Sequence, residues 1–317
     1  MGRLATEDTL MIETRGMTKV FGGLVAVNDL DMKVRRGTIH GFVGPNGAGK
    51  TTTIKMLVGL LRCSSGKGLI KGLAAGSKDA RRIVGYSPER PPLYSDMTTE
   101  DYLKFMARLS GLKSAEAVNR TAELLDLVEL TGFKDSKVGG FSAGMKQRLG
   151  LAQALVNHPE LIILDEPTAN LDPTGRRTVI NKLKKLNYEH NITILISSHI
   201  LPELEQLIDS VTLINKGKSV IENDLDQVKE DFKRDRYRIN TSDNKRVIDT
   251  LKVKSYVDDI QVDQAGDIHI TCLDAQILQD DLIDIITEHK LRLTTFDEET
   301  IKLDDIYSQS LNIGEEQ

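Results

Sequence analysis

The sequence predicts an α/β protein with a largely parallel β-sheet, followed by a smaller α+β unit. In residues 10–225, short β-like runs alternate with helical stretches, which is typical of folds in which helices cover a parallel sheet. Two runs, LIIL at residues 161–164 and TILIS at residues 193–197, are uninterrupted apolar or β-branched segments, as expected of strands buried on both faces. After residue 221 the chain becomes polar and charged, and a different succession of elements begins.

Strands and a helical insertion are predicted for the first unit. The strands are residues 11–14, 30–34, 39–43, 82–86, 161–164, 193–197 and 211–214. Between residues 91 and 158 the β pattern fades and three helices are predicted: one that Thr98 or Thr99 can cap, one near residues 115–130 and one at residues 145–156. A helical subdomain inserted into an α/β domain is the simplest interpretation of this stretch.

A linker at residues 226–236 is predicted to lead to a C-terminal α+β domain of residues 237–317. Its elements read strand, helix, strand, strand, helix, strand, the succession of a split-βαβ or ferredoxin-like domain. They are residues 237–240, 244–252, 257–262, 267–271, 275–289 and 291–295, with a short helix at LDDIYSQSL. Residues 226–317 hold 22 acidic and 12 basic residues, so no nucleic-acid partner is expected, because such a partner requires an excess of Lys and Arg.

Composition predicts a globular chain with a cytoplasmic location. The sequence is 39% hydrophobic and 28% charged, within the ordinary globular range. No apolar run reaches the roughly 18 residues that would cross a bilayer, and the first residues lack the profile of a signal peptide. Cys63 and Cys272 lie far apart without a CxxC spacing, so neither a disulfide nor a zinc site is predicted.

A phosphate-binding loop is predicted at residues 44–51, GPNGAGKT, which match the pattern G-x-x-x-x-G-K-[ST]. The loop follows the predicted strand 39–43 and precedes a helical stretch, the context that the pattern requires. Its glycines let backbone N–H groups point at phosphate oxygens, next to a helix N-terminus. Lys50 is expected to reach the β- and γ-phosphates and Thr51 to ligate Mg²⁺. The nucleotide-binding residues predicted here are Gly44, Pro45, Asn46, Gly47, Ala48, Gly49, Lys50, Thr51 and Thr52.

Two carboxylates and a histidine follow buried strands at the edge where parallel sheets bind ligands. Asp165 is predicted to hold Mg²⁺ through its water shell, and Glu166 to accept the proton of the water that attacks the γ-phosphate. His199 follows the strand 193–197 and can donate a hydrogen bond to a γ-phosphate oxygen. The ordinary alternatives are a turn after a strand for the carboxylate pair and a structural role for the histidine.

Together with further segments, these motifs resemble the ATP-binding subunits of ABC transporters over about residues 9–225. FSAGMKQR at residues 141–148 resembles the family's signature loop, and Asp172 lies in a segment similar to its D-loop. His199 resembles the family's switch histidine, and Phe21 resembles the aromatic residue that stacks on adenine. The resemblance implies a P-loop NTPase (RecA-like) core with a β-subdomain and a helical insertion, which hydrolyses ATP with Mg²⁺. Residues 1–8 would be an N-terminal extension, and about residues 91–158 the helical subdomain.

The resemblance also implies partners. ATP would lie between the phosphate loop of one protomer and the signature loop of a second, in a homodimer or heterodimer. Ser142 and Gly144 offer a hydroxyl, an N–H and a helix N-terminus that suit a γ-phosphate, and Asp172 joins this set. A separate membrane-spanning subunit would hold the chain at the inner face of the cell membrane. Residues 90–97, RPPLYSDM, would form the groove in which the membrane-spanning subunit docks. The alternative is a stiff loop whose apolar residues fold back onto this chain.

Departures from the family pattern bear on function. Glu89 stands where the family's Q-loop usually has glutamine, and it is predicted to belong to the metal site. A carboxylate can still accept a hydrogen bond from a metal-bound water, but when ionised it cannot donate one, so we expect activity with altered metal coupling. Ala143 and Met145 replace residues that are usual in the signature loop. Glu89 and the acidic C-terminal domain resemble the multidrug-export branch, which favours an exporter. The alternatives are a soluble ABC ATPase that acts on ribosomes, DNA or metal clusters, and a nucleotide sensor, which the presence of Glu166 disfavours.

Overall fold

A computed structural model describes residues 10–169, 171–232, 235–299 and 301–313, with only the backbone given for 311–313. The predicted N-terminal extension, residues 1–8, lies outside the described residues. The described chain divides into two compact units. One contains the residues up to Asp226 together with those from Ser310, and the other contains Gln227–Gln309.

The first unit contains two β-sheets. Its strands are β1 (Leu10–Phe21), β2 (Leu24–Arg35), β3 (Ile39–Val43), β4 (Ser65–Ile70), β5 (Leu73–Ala74), β6 (Val84–Ser87), β7 (Leu161–Asp165), β8 (Thr193–Ser198), β9 (Ser210–Asn215) and β10 (Lys218–Asp224). An antiparallel sheet has the order β2-β1-β4-β5, and a six-stranded sheet has the order β10-β9-β3-β8-β7-β6. In the second sheet all neighbours are parallel except the edge strand β10, which pairs antiparallel with β9.

Several helices of this part of the chain begin at a Ser, Thr or Asp whose side chain accepts a hydrogen bond from the first turn. They are α1 (Lys50–Leu57), α2 (Lys78–Arg82), α3 (Thr99–Leu109), α4 (Ser114–Leu127), α5 (Ala143–Ala154), α6 (Pro173–His190), α7 (Leu201–Glu205) and α8 (Leu225–Asp231). Of the two predicted caps of α3, Thr98 is the one used, because its hydroxyl accepts from the N–H of Asp101. α3, α4 and α5 correspond to the three helices predicted for the insertion.

One apolar core connects the antiparallel sheet, α1 and the parallel sheet. Met32 of β2, Ile54 of α1 and Ile163 of β7 belong to the same cluster of buried side chains. All residues of β3, β7 and β8 are buried. This explains the uninterrupted apolar runs, since a strand covered on both faces has no polar side to alternate with. The core fixes α1, and with it the loop that precedes α1, against the end of β3.

Several boundaries differ from the prediction. The predicted strand 82–86 begins later, at Val84, because Arg82 still belongs to α2, which Ser77 caps. β4, β5 and β10 were not predicted, since they are glycine-rich, very short or half-exposed and carry no clear apolar pattern. The predicted linker at residues 226–236 contains most of α8 and the start of the next strand at Asp235, while residues 233 and 234 lie outside the described residues.

The second unit contains the predicted order of strands and helices. Its elements are β11 (Asp235–Thr241), α9 (Asn244–Leu251), β12 (Val257–Val262), β13 (Ile268–Cys272), α10 (Ala275–His289) and β14 (Leu293–Glu298), followed by α11 (Leu303–Ile313). The strand order is β12-β13-β11-β14, with all pairs antiparallel. The last strand starts later than predicted because Lys290, at φ +53°, and Leu291, whose N–H donates to Ile286, still terminate α10. Among the described helices, none has the length and apolarity needed to span a bilayer.

Candidate nucleotide-binding site

The predicted phosphate loop connects β3 to α1 at the carboxyl edge of the parallel sheet. Two of its glycines are required by space and conformation. A β-carbon on Gly44 would lie 2.2 Å from the carbonyl oxygen of Ile214, and one on Gly49 would lie 2.7 Å from that of Ala26. Gly49 also has φ +111°, which side chains with a β-carbon rarely adopt. The loop can therefore turn tightly into α1, whose N-terminal N–H groups face the space in front of the sheet.

Lys50, the first residue of α1, is folded back over this loop. Its ammonium Nζ donates to the carbonyl oxygens of Gly44 at 2.6 Å and of Pro45 at 3.2 Å. The same Nζ lies 3.4 Å from Oε1 of Glu166, and the Lys50 side chain is only 6% exposed. The positive charge is thus fixed beside the loop, where a phosphate bound by the loop would contact it.

Asp165 and Glu166 leave the end of β7 in different directions. Asp165 pairs with Ser197 of the neighbouring strand β8, and the Ser197 hydroxyl donates to Oδ1 of Asp165 at 2.7 Å. Glu166 has φ +50°, a left-handed conformation that costs a residue other than glycine about 1–2 kcal/mol. Its N–H donates to the carbonyl oxygen of Ser197 at 3.2 Å and to the hydroxyl oxygen at 3.1 Å. These bonds hold the turn that directs the Glu166 side chain toward Lys50.

The three predicted catalytic residues are in contact through the Glu166 carboxylate. One of its oxygens lies beside Lys50, and the other, Oε2, lies 2.8 Å from Nδ1 of His199. An ionised carboxylate only accepts hydrogen bonds, so the imidazole donates through Nδ1. The sequence predicted that these residues share one edge of the sheet, but it did not predict that Glu166 bridges the other two.

A cavity of about 170 Å³ lies in front of the loop. It is lined by Ala26, Pro45, Asn46, Gly47, Gly49, Lys50, Thr51, Thr52, Glu89 and Glu166. Gly44 and Ala48, predicted with the loop, are buried and do not line it. Larger cavities, of about 610 Å³ each, occur elsewhere in the described residues but contain none of the predicted site residues. The cavity in front of the phosphate loop is therefore the candidate nucleotide site, because Lys50, Glu89 and Glu166 line it together with the loop.

The oxygen atoms around this cavity suit Mg²⁺. The Thr51 hydroxyl and the Glu89 carboxylate line it together, and the Asp165 carboxylate ends the adjacent strand. Hydroxyl and carboxylate oxygens are ligands that Mg²⁺ prefers, and the ion usually adds water and substrate phosphates rather than a full protein cage. In the described ranges no group of three or more His, Cys, Asp or Glu residues is arranged to hold a metal ion, so phosphate oxygens and water would have to complete the coordination.

The remaining predicted residues lie away from the Lys50 cavity. Phe21 ends β1 and is 44% exposed, with Nζ of Lys19 4.9 Å from its ring centroid. Ser142 caps α5 by accepting from the N–H of Met145, and Asp172 caps α6 in the same way. Neither cap residue lines the cavity, and Gly144, in the first turn of α5, does not either. The signature-loop residues thus lie outside the cavity of their own Lys50, and their action on the nucleotide of another protomer stays a prediction.

Sequence analysis did not identify Ala26, Tyr86 and Ser197 as site residues. Ala26 lines the cavity from β2, a strand whose bulges obscure its pattern. Tyr86 lies on β6, where burial and, to a smaller extent, the Asp165 charge raise its pKa to about 12, which keeps the phenol neutral. For Ser197 the signal was present, because a polar residue ends a buried strand beside the strand that carries the carboxylates.

The fold and this site define a P-loop nucleoside triphosphatase. Comparisons with known proteins identify the family. A family model described as ABC transporter matches residues 27–169. The bacitracin transport ATP-binding protein BcrA of Bacillus licheniformis is 40% identical over 264 residues, 82% of this chain and 84% of that protein.

Two further comparisons agree with this match. A Nod factor export ATP-binding protein I of Cupriavidus metallidurans is 37% identical over 216 residues, 68% of this chain and 71% of that protein. A solved structure of an ATP-binding subunit of an ABC transporter superposes with a TM-score of 0.64 at 31% identity, over 70% of this chain and 93% of that one. The chain therefore belongs to the ABC transporter ATP-binding proteins: it is a transporter ATP-binding subunit and an ATPase.

Proposed function

We propose that this chain hydrolyses ATP with Mg²⁺ as one half of a head-to-tail dimer, and that the cycle drives export through a separate membrane-spanning subunit. The observation that carries the proposal is the contact of Lys50, Glu166 and His199 beside the phosphate loop. A cation, a carboxylate and an imidazole at the carboxyl edge of a parallel sheet are the groups that phosphoryl transfer to water needs.

The same contact supports a role for each residue. When ATP occupies the loop, Lys50 donates to its phosphate oxygens, and His199 redirects its N–H from Glu166 to a γ-phosphate oxygen. Glu166 is then free to accept a proton from the attacking water, whose oxygen bonds to the γ-phosphorus as the bond to the ADP oxygen breaks. Mg²⁺, when held by Thr51, Asp165 and Glu89, would neutralise charge on the phosphate oxygens.

The distribution of the site residues supports the proposed head-to-tail dimer. Ser142 and Gly144, at the N-terminus of α5, present a hydroxyl and N–H groups suited to a phosphate, yet they lie outside the cavity of their own Lys50. A second protomer, identical or closely related, would supply the nucleotide to them, with Asp172 as a further contact. Phe21 would stack on the adenine. Loss of the γ-phosphate would then loosen the pair.

The membrane partner is proposed to dock beside α3. The docking segment predicted from sequence is residues 90–97. Its Tyr94 packs against the rings of Tyr102 and Phe105 and is still 56% exposed, so this segment both folds back onto α3 and presents apolar surface. Binding there would keep the chain at the inner face of the cell membrane. The names of the bacitracin transport and Nod factor export relatives, together with Glu89, favour export over a soluble role on ribosomes, DNA or metal clusters.

This proposal includes the domain division inferred from the sequence. Residues 9–225 would form the ATPase domain, with a helical subdomain of about residues 91–158. The ferredoxin-like domain of residues 237–317 would act as an accessory domain, and no nucleic-acid partner is proposed.

Two variants test the mechanism. Glu166→Gln should lower ATP turnover by at least about 100-fold while ATP still binds and a dimer accumulates in light scattering, because the general base is lost and the phosphate contacts remain. Lys50→Ala should weaken nucleotide binding itself. Glu160→Gln is a matched control, since Glu160 precedes the other end of β7 and pairs with Arg36 and Lys71. Full turnover by Glu166→Gln, or equal losses in the control, would overturn the proposal.

A further inference from the structure

A single buried hydroxyl connects the two acidic residues of the site. Ser197 is fully buried at the end of β8. Its Oγ donates to Oδ1 of Asp165 at 2.7 Å and accepts from the backbone N–H of Glu166 at 3.1 Å. A hydroxyl has one hydrogen to donate and lone pairs to accept, so Ser197 can make both bonds at once.

These two bonds act on different parts of the site. The bond to Asp165 fixes the orientation of a carboxylate that would hold Mg²⁺. The bond from Glu166 supports a backbone with φ +50°, which a glutamate adopts only when its surroundings hold it there. A second bond, from the same N–H to the Ser197 carbonyl oxygen, and one from the N–H of Ala169 to the Glu166 carbonyl oxygen complete the support.

We infer that Ser197 is a positioning residue for ATP hydrolysis: it sets the metal-binding carboxylate and the general base relative to each other. The inference rests on the proposed function, because it assigns those roles to Asp165 and Glu166. Ser197 does not line the nucleotide cavity, so its effect passes through the two acidic residues. The Ser197 hydroxyl bonds to Asp165 and Glu166 and not to the phosphate loop or Lys50, so we expect the nucleotide contacts of the loop and Lys50 to be kept without it.

The experiment compares Ser197→Ala with a matched loss of a hydroxyl from the same strand. Thr193 begins β8, is fully buried, and its hydroxyl accepts from the N–H of Gly37 at 2.9 Å, at the opposite edge of the sheet. Thr193→Val therefore removes one buried hydrogen bond from β8 without touching the acidic pair. Each full-length variant is assayed for kcat, for KM of ATP, for the Mg²⁺ concentration giving half-maximal rate, and for binding of ATP in EDTA.

Ser197→Ala should lower kcat about tenfold and raise the half-saturating Mg²⁺ concentration, while ATP binding in EDTA stays within about twofold. Thr193→Val should keep kcat within about twofold of the wild type. Ser197→Thr, which retains the hydroxyl, should recover most of the activity. If the threonine methyl prevents folding at this buried position, the comparison of Ser197→Ala with Thr193→Val decides alone.

Two results would overturn the inference. One is a Ser197→Ala variant with wild-type kcat and Mg²⁺ dependence, and the other is an equal loss of kcat in Thr193→Val, which would indicate general weakening of β8. Glu166→Gln separates this failure from failure of the proposed function. If Glu166→Gln is inactive while Ser197→Ala is fully active, only the role of Ser197 is wrong.

Discussion

Acidification should destabilise the ATP-binding unit through one buried histidine, His40, the second residue of β3. Its Nδ1 lies 2.8 Å from the Ser210 hydroxyl and its Nε2 lies 2.8 Å from the Thr212 hydroxyl. Burial, and to a smaller extent the charge of Arg35, lower the pKa of His40 from 6.5 to about 3. The folded protein therefore holds a neutral imidazole at a pH at which the unfolded chain already binds a proton.

The sign and size of the effect follow from the two pKa values. Because the folded pKa lies below the unfolded one, the contribution is fully present above pH 6.5 and is lost progressively as the pH falls toward 3. At pH 5, proton binding favours the unfolded state by a factor of about 30, or about 2 kcal/mol in the free energy of unfolding. This figure changes little for any folded-state pKa of His40 below about 4, since the folded ring is then neutral at pH 5.

Native-state hydrogen exchange of a peptide covering β3 measures this free energy for the first unit alone. Wild type and His40→Gln are compared at pH 7 and pH 5, with correction for the intrinsic exchange rate. The wild type should lose about 2 kcal/mol more protection than the variant, because glutamine does not titrate and the carboxylates are common to both. If the two losses agree within about 0.5 kcal/mol, the reasoning about His40 is refuted.

Three further predictions address the nucleotide site. Gly49→Ala should weaken nucleotide binding and lower the free energy of unfolding by about 1–3 kcal/mol. Gly47→Ala is the control: Gly47 has φ +83°, but the space around an added β-carbon is open, so the loss of stability should be smaller. Equal shifts of the melting temperature in the two variants would contradict this prediction. Glu89→Gln should change the Mg²⁺ dependence of turnover, and an unchanged dependence would remove Glu89 from the metal site. Phe21→Ala should raise KM for ATP about tenfold with little change in kcat, as expected for loss of stacking on a base; an unchanged KM would argue against stacking.

The buried strands could be predicted from sequence because a single physical rule determines their pattern. β7 and β8 are covered on both faces, so the runs LIIL of β7 and TILI of β8 are apolar or β-branched without interruption. β3 is also fully buried, but its sequence IHGFV includes His40, whose ring bonds to two buried hydroxyls. β1 and β2 were predicted as short segments but extend over 12 residues each. Their pairing contains several register shifts, with positive φ at Gly16 and Asp29, so the alternation of apolar and polar residues is broken.

Some features of the candidate site could be predicted from the sequence and others could not. The phosphate loop is formed by consecutive residues, so its pattern is legible in the sequence. The bridge from Lys50 through Glu166 to His199 depends on the left-handed backbone at Glu166, which no local preference of glutamate predicts. The support from Ser197 depends on the register of β7 against β8, a long-range property. The sequence therefore predicted that the site residues lie at the carboxyl edge of the sheet, but it did not predict which of their side chains contact one another.

The contact of Glu166 with Lys50 and His199 affects how the proposed hydrolysis cycle begins. Lys50 and His199 already have an anionic partner, the Glu166 carboxylate. The Lys50–Glu166 pair is almost fully buried, so it is costly to break unless another anion replaces it, whereas the His199 side chain is 43% exposed and gives up its bond at less cost. A γ-phosphate is such an anion, so its arrival would satisfy both donors and release the general base in one step. ADP carries no γ-phosphate and leaves His199 with Glu166. In the proposed cycle, binding of ATP and release of the general base would therefore be the same event, which would link hydrolysis to the presence of the γ-phosphate.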